Sequence, residues 1–368
     1  MKIPFLSFDH INSSIKSELT TAFNEFVNSG WYILGERLKT FESEYALYSG
    51  TKFCAGVGNG LDAIIIALKA CNIGRGDEVI VPSNTYIASW LAITHVGATP
   101  IPVEPRPDTF NINPDLIEEK ITIATKAILP VHLYGQSCEM DKIMSIANAH
   151  NLLVIEDNAQ SQGATFKGKM TGSFGHINAT SFYPGKNLGA YGDAGAITSD
   201  NYNLIELSKV IRNYGSRVKY FNEIKGLNSR LDELQACLLS IKLKQLDEMN
   251  SLRIGVAQKY NEALQNTGDL ILPYEVEGSK AVYHLYVVRT ERRDELQKKL
   301  NDNGIGTLIH YPRPPHLQEA YVELNYKKGD FPITEKMAET CLSLPIYPGL
   351  NDDEIHFIAN QIKEFYNA

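Results

Sequence analysis

Between Phe53 and Ser199 short apolar, β-branched runs alternate with stretches whose apolar positions recur every three or four residues. Strands are predicted at FCAGV (53–57), EVIVP (78–82), TPIPV (99–103), KAILPV (126–131), LLVIE (152–156), ATSFY (179–183) and AITS (196–199). Helices are predicted at 61–72, 86–96, 139–150 and 202–212. Runs apolar at consecutive positions read as strands buried on both faces, the pattern of a mainly parallel sheet covered by helices. From Leu231 the period becomes purely helical: Leu231, Leu234, Leu238, Ile241 and Leu246 mark one apolar face of a long helix continuing toward Leu264. A smaller α/β segment follows, with a strand at 283–290 and helices near 294–303 and 352–366. The expected organisation is α/β, with a large domain over residues 1–250 and a smaller C-terminal domain over 251–368.

Composition narrows the function classes. A chain of 368 residues with 43% hydrophobic content can bury a large core. It contains no apolar run long enough to span a membrane, and MKIPFLSFDHINSSIKSEL lacks the apolar stretch of a secretory signal. Five widely spaced cysteines without CxxC pairing suit free thiols in a reducing cytosol and not a zinc site. A net charge of −8 argues against nucleic-acid or anionic-membrane partners. One stretch departs from that balance: Lys209, Arg212, Arg217, Lys219, Lys225 and Arg230 are interrupted by a single acid, Glu223. This is either a solvated face or a local site for a phosphate.

Four segments carry candidate chemistry. In SFYPGKNLGAYGDAGAITSD, Lys186 sits just after the strand predicted at 179–183, in a glycine-rich turn that can bring its amine to a fixed place. A buried lysine with a lowered pKa can form a Schiff base, whereas an exposed one is protonated and inert. In LLVIEDNAQ, Asp157 arrives at the carboxyl end of a buried strand, where open α/β sheets bind ligands. It could ligate a metal, contact a ribose, partner a pyridinium nitrogen or cap the next helix. In GVGNGLDAIIIAL, glycines opening a helix form an anion site, and Leu61 stands where a dinucleotide fingerprint would need its third glycine. In NTYIASW, Tyr86 just past a strand end could stack on a planar ligand or simply fill space. His310 lies in the proline-rich GTLIHYPRPPHL, while His95, His150 and His356 read as structural. No GxSxG, Walker A or HExxH motif occurs.

These segments, with PVHLYGQ and NSRLDELQA, resemble over essentially the whole chain the DegT/DnrJ/StrS sugar aminotransferases, which have the fold type I architecture. The resemblance implies pyridoxal 5′-phosphate as cofactor. Lys186 would be the Schiff-base lysine, Asp157 the partner of the ring nitrogen, Gln160 the neighbour of the phenolic oxygen and Tyr86 the stacking residue. The phosphate would be held by the Gly60–Leu61 backbone, by Ser181, and by Asn228 from a second subunit, which implies a homodimer with shared sites. Leu61 departs from the small hydroxylated residue usual in the family, leaving only a backbone contact.

GNGLDA, RNYGSRVKYFNEIKGLNSRLDELQA and HYPRPPHLQ are most similar to the branch acting at C3 of dTDP-3-keto-6-deoxyhexoses, with glutamate as amino donor. That similarity implies Tyr183, His310 and Tyr311 against the hexose, and Lys219, Tyr220 and Arg230 toward the nucleotide. The alternative is a C4 aminotransferase of the perosamine type. Related sugar dehydratases carry histidine in place of the lysine, so Lys186 counts against that reading.

Overall fold

The computed structural model describes residues 1–367. Seven strands form the central sheet: β1 (Phe53–Val57), β2 (Glu78–Pro82), β3 (Thr99–Val103), β4 (Thr125–Ile128), β5 (Leu153–Asp157), β6 (Ile177–Ser181) and β7 (Gly195–Ser199). Their order is β1-β7-β6-β5-β4-β2-β3. All neighbours run parallel except β7, which is antiparallel to both β1 and β6. Pro100 and Pro102 fit in β3 because it is an edge strand, where missing N–H donors break no ladder. The predicted strand 126–131 is shorter in the structure, though its path continues as Leu129 N–H bonds Ile80 C=O and Asp157 N–H bonds Pro130 C=O.

The helix Gly60–Ala70 is apolar around most of its circumference, and Ala63 through Leu68 are all buried, so it sits between the sheet and its neighbours and not at the surface. The predicted long helix is two: Glu233–Leu243 and Leu246–Leu264. The break is a tightened turn in which Gln245 N–H reaches Lys242 C=O at 3.0 Å. It lets Leu239 and Leu243 pack with Leu38, Phe41 and Tyr45, while Val256, Ala257, Tyr260 and Leu264 turn to a second core. An unbroken apolar periodicity cannot reveal such a bend.

The second core surrounds the antiparallel pair β8 (Tyr286–Arg289) and β9 (Cys341–Leu344), with the helices Arg293–Asp302 and Asp352–Asn367. It also contains Ile3, only 1% exposed. The N-terminal residues therefore cross from the large domain, where the expected division put them, to pack against the C-terminal elements. Among the described residues no helix is long and apolar enough to cross a membrane.

Candidate active site

Strand β5 delivers two adjacent carboxylates to opposite faces of the sheet, as alternation along a strand requires. Glu156 faces one side, fully buried, and accepts hydrogen bonds from the N–H groups of Gly172, Phe174 and Gly175 and from His132 Nε2. Asp157 faces the other side. Its Oδ2 accepts from Ser89 Oγ at 2.8 Å and its Oδ1 from Ala159 N–H at 3.1 Å. Ser89 in turn lies 3.0 Å from Thr85 Oγ1. Burial pushes the Asp157 pKa up, and these two hydrogen bonds and the Lys186 charge hold it back.

Lys186 emerges from a turn that only glycines permit. A Cβ on Gly189 would lie 2.1 Å from Pro184 O, and one on Gly195 would lie 2.6 Å from Asn59 C. Lys186 N–H donates to Tyr183 C=O at 2.8 Å, which closes the turn. Burial lowers the lysine pKa from 10.5 to about 8, with the Asp157 charge opposing the shift. Burial and the positive charge of Lys186 push His310 down to about 4, so its imidazole is neutral at physiological pH. His310 Nδ1 is 2.8 Å from Ser343 Oγ. His284 is driven well below its usual range by the same causes.

Opposite the lysine turn, Asn59 caps the helix Gly60–Ala70 by accepting from Asp62 N–H at 2.8 Å. The first backbone bond of this helix runs from Ala63 N–H to Asn59 C=O, leaving the Gly60 and Leu61 N–H groups free of intrahelical partners. Ser181, at the end of β6, approaches so closely that a Cβ on Gly60 would lie 2.6 Å from its Cβ. A hydroxyl and a helix N-terminus thus converge on one spot, the physical requirement for an anion.

A cavity of about 720 Å³ joins these groups, lined by Gly60, Leu61, Tyr86, Asp157, Gln160, Ser181, Tyr183, Lys186, His310 and Tyr311. The Tyr86 and Tyr311 ring centroids are 5.1 Å apart. Gln160 is held at both ends, accepting from Tyr134 N–H at 2.7 Å and donating to Tyr311 Oη at 3.2 Å. Sequence reasoning missed Ser89, His284, Asp193, Phe5 and Leu6. Only Ser89 left a signal, standing three residues after Tyr86 and hence nearly one helical turn further along the same face.

Lys219, Tyr220, Asn228 and Arg230 do not line this cavity. They belong to an exposed arm whose base is pinned where Asn213 bridges Asn228 and Arg230 Nη1 donates to Asn213 Oδ1 at 3.1 Å. Tyr220 and Phe221 at its tip are 83% and 71% exposed.

The donor set fits pyridoxal phosphate: an amine with a depressed pKa, a buried carboxylate, an aromatic face and a helix N-terminus beside a hydroxyl surround one cavity. Residues 13–363 match the profile of the DegT/DnrJ/EryC1/StrS aminotransferase family. A dTDP-3-amino-3,6-dideoxy-alpha-D-galactopyranose transaminase of Aneurinibacillus thermoaerophilus is 51% identical over 363 residues, 99% of each chain. The crystal structure of S. venezuelae DesV in complex with a ketimine intermediate superposes with a TM-score of 0.98 at 44% identity, covering 100% of this chain and 99% of that one. That of ntda from Bacillus subtilis with bound cofactor PMP gives 0.92 at 35% identity, covering 99% and 85%. The chain belongs to the DegT/DnrJ/EryC1/StrS aminotransferase family and is a pyridoxal-phosphate-dependent sugar aminotransferase.

Proposed function

We propose that this protein transfers the amino group of glutamate to C3 of a dTDP-linked 3-keto-6-deoxyhexose, giving a dTDP-3-amino-3,6-dideoxyhexose and 2-oxoglutarate. The observation that carries the reading is the partly buried Lys186 amine, its pKa lowered to about 8, sharing a cavity with the buried Asp157 carboxylate. The relatives' substrates support the C3 position and the 6-deoxy sugar.

Bound pyridoxal phosphate supplies an electron sink for the carbanion formed when the donor Cα loses its proton. The chain's own residues do the rest. Asp157, oriented by Ser89 and Ala159, would keep a proton on the ring nitrogen. Tyr86 would cover one face of the ring, and Gln160, its amide direction set by Tyr134 and Tyr311, would donate toward the phenolic oxygen. The Gly60 and Leu61 N–H groups and Ser181 would hold the phosphate. Lys186 Nζ takes the donor's Cα proton as a general base, and in the second half of the cycle delivers a proton to C3 of the sugar. Tyr183, Tyr311 and the neutral His310 face the hexose.

A second copy of the chain completes the site. The cavity's own lining offers Lys186 as its one Lys or Arg among the described residues, and the sugar diphosphate needs more. The arm bearing Lys219, Tyr220, Asn228 and Arg230 projects with its aromatic tip exposed, which suits insertion into a partner. A homodimer of the cytosol, consistent with five free cysteines, is the proposed form. The test is incubation of the holoenzyme with glutamate and a panel of 3-keto and 4-keto nucleotide sugars, with the amination site read by NMR. Amination at C4 alone, or of no member, refutes the proposal.

A further inference from the structure

Two residues near the N-terminus, Phe5 and Leu6, form part of the substrate cavity. Ile3 is strapped to the C-terminal domain like an added strand: its N–H donates to Gly304 C=O and its C=O accepts from Gly306 N–H, both at 2.8 Å. Beyond Pro4 the chain turns into the cavity wall, where Phe5 and Leu6 stand with Leu308 and Ile346. The Phe5 ring centroid is 5.7 Å from that of His310, the planes inclined by 30°. Leu6 Cδ2 comes within 3.4 Å of the Cβ position of Gly185, the residue before Lys186. An apolar wall therefore abuts both the lysine turn and the imidazole.

We propose that Phe5 and Leu6 receive the C6 methyl group of the sugar, so that the N-terminal strap selects 6-deoxyhexoses over 6-hydroxyhexoses. This inference rests on the proposed function. Its geometry follows from the pyranose ring, in which C1, C3 and C5 alternate, so their outward substituents diverge. With C3 at Lys186 Nζ and the C1 diphosphate leading toward the partner's basic arm, the C5 substituent points to the remaining side. A methyl group there is buried without loss. A hydroxymethyl group would set its oxygen against four apolar side chains that offer it no hydrogen bond. A hydrophobic pocket discriminates against an added hydroxyl by up to about 100-fold, so a preference of roughly 10- to 100-fold in kcat/KM is expected.

The experiment runs the reaction in reverse with the holoenzyme, 2-oxoglutarate, and dTDP-3-amino-3,6-dideoxyhexose or its 6-hydroxy counterpart. Phe5→Gln places an amide beside the methyl site and should reduce the kcat/KM ratio at least about tenfold, partly by raising the rate on the 6-hydroxy sugar. Phe5→Ala should reduce it less. The ratio is internal to each preparation, so a fraction of misfolded protein cancels. Equal losses on both sugars in both variants, with the ratio unmoved, overturn the inference while leaving the proposed function standing. A wild-type enzyme that turns over neither C3 sugar, forward or in reverse, overturns the proposed function and this inference with it.

Discussion

Replacing Lys186 by methionine should make the cofactor-free protein more stable at neutral pH, by an amount that shrinks as pH rises. Burial depresses this amine from 10.5 to about 8. The folded pKa lies below the unfolded one, so between those values the unfolded chain holds more protons and stability rises with pH. At about 1.36 kcal/mol per unit, a shift of ~2.5 units corresponds to roughly 3 kcal/mol, borne almost fully at pH 7 and lost toward pH ~10.5. Methionine keeps the length and apolar stem without the charge. Its stability advantage should fall by about 2 kcal/mol between pH ~7 and ~9.5, while any change in packing contributes a constant. Urea denaturation of both apoproteins at one protein concentration, across that range, measures the difference. A difference independent of pH would mean that the amine is not depressed, and the account of its reactivity would fail. The same shift leaves about one lysine in eleven neutral at pH ~7, against about three in ten thousand for an unperturbed amine. The strain on the apoprotein and the readiness to attack a carbonyl are one quantity measured twice.

Two further outcomes test the rest of the site. Ser89→Ala removes a charge-assisted hydrogen bond from Asp157, worth about 1.5–3 kcal/mol, so kcat should fall roughly 10- to 100-fold with Ser89→Thr restoring it. A kcat within about twofold of wild type would remove Ser89 from the mechanism. Co-refolded Lys186→Ala and Asn228→Ala chains should regain about a quarter of wild-type activity, because random pairing makes half the dimers mixed and each mixed dimer has one intact site. No recovery would mean that Asn228 serves its own chain's site.

What the sequence made legible follows from how local each cause is. Most of the sheet could be read because its strands are short runs bounded by their own turn residues, although the strand predicted at 179–183 lies at Ile177–Ser181, and Asp157 and Lys186 could be placed because one ends a strand and the other lies in the turn after one. The bend at Lys244–Gln245 could not, since the apolar face continues on both sides and only the separate cores explain it. The strap of Ile3 was hidden for another reason. Its partner segment, Gly304–Gly306, lies about 300 residues further along the chain, and four residues, IPFL, carry no period.

The arm from Asn213 to Arg230 lies between these cases. Its charge was visible in the sequence, but none of Lys219, Tyr220, Asn228 and Arg230 lines the cavity of its own chain: Leu227 N–H bonds Ile211 C=O at 2.6 Å and Ser229 N–H bonds Arg212 C=O at 2.9 Å, which root the arm firmly. Its tip keeps Val218, Tyr220 and Phe221 in water. A rooted loop with an apolar tip is a poor structure for an isolated chain, because it orders backbone without burying side chains. It becomes a good one when the tip enters a neighbour. The same insertion would carry Lys219 toward a cavity whose own lining holds Lys186 as its one Lys or Arg among the described residues. The apolar tip and the cation deficit are therefore two halves of one requirement, and a single surface that satisfies both is the physical reason to expect the active site to be built by two chains.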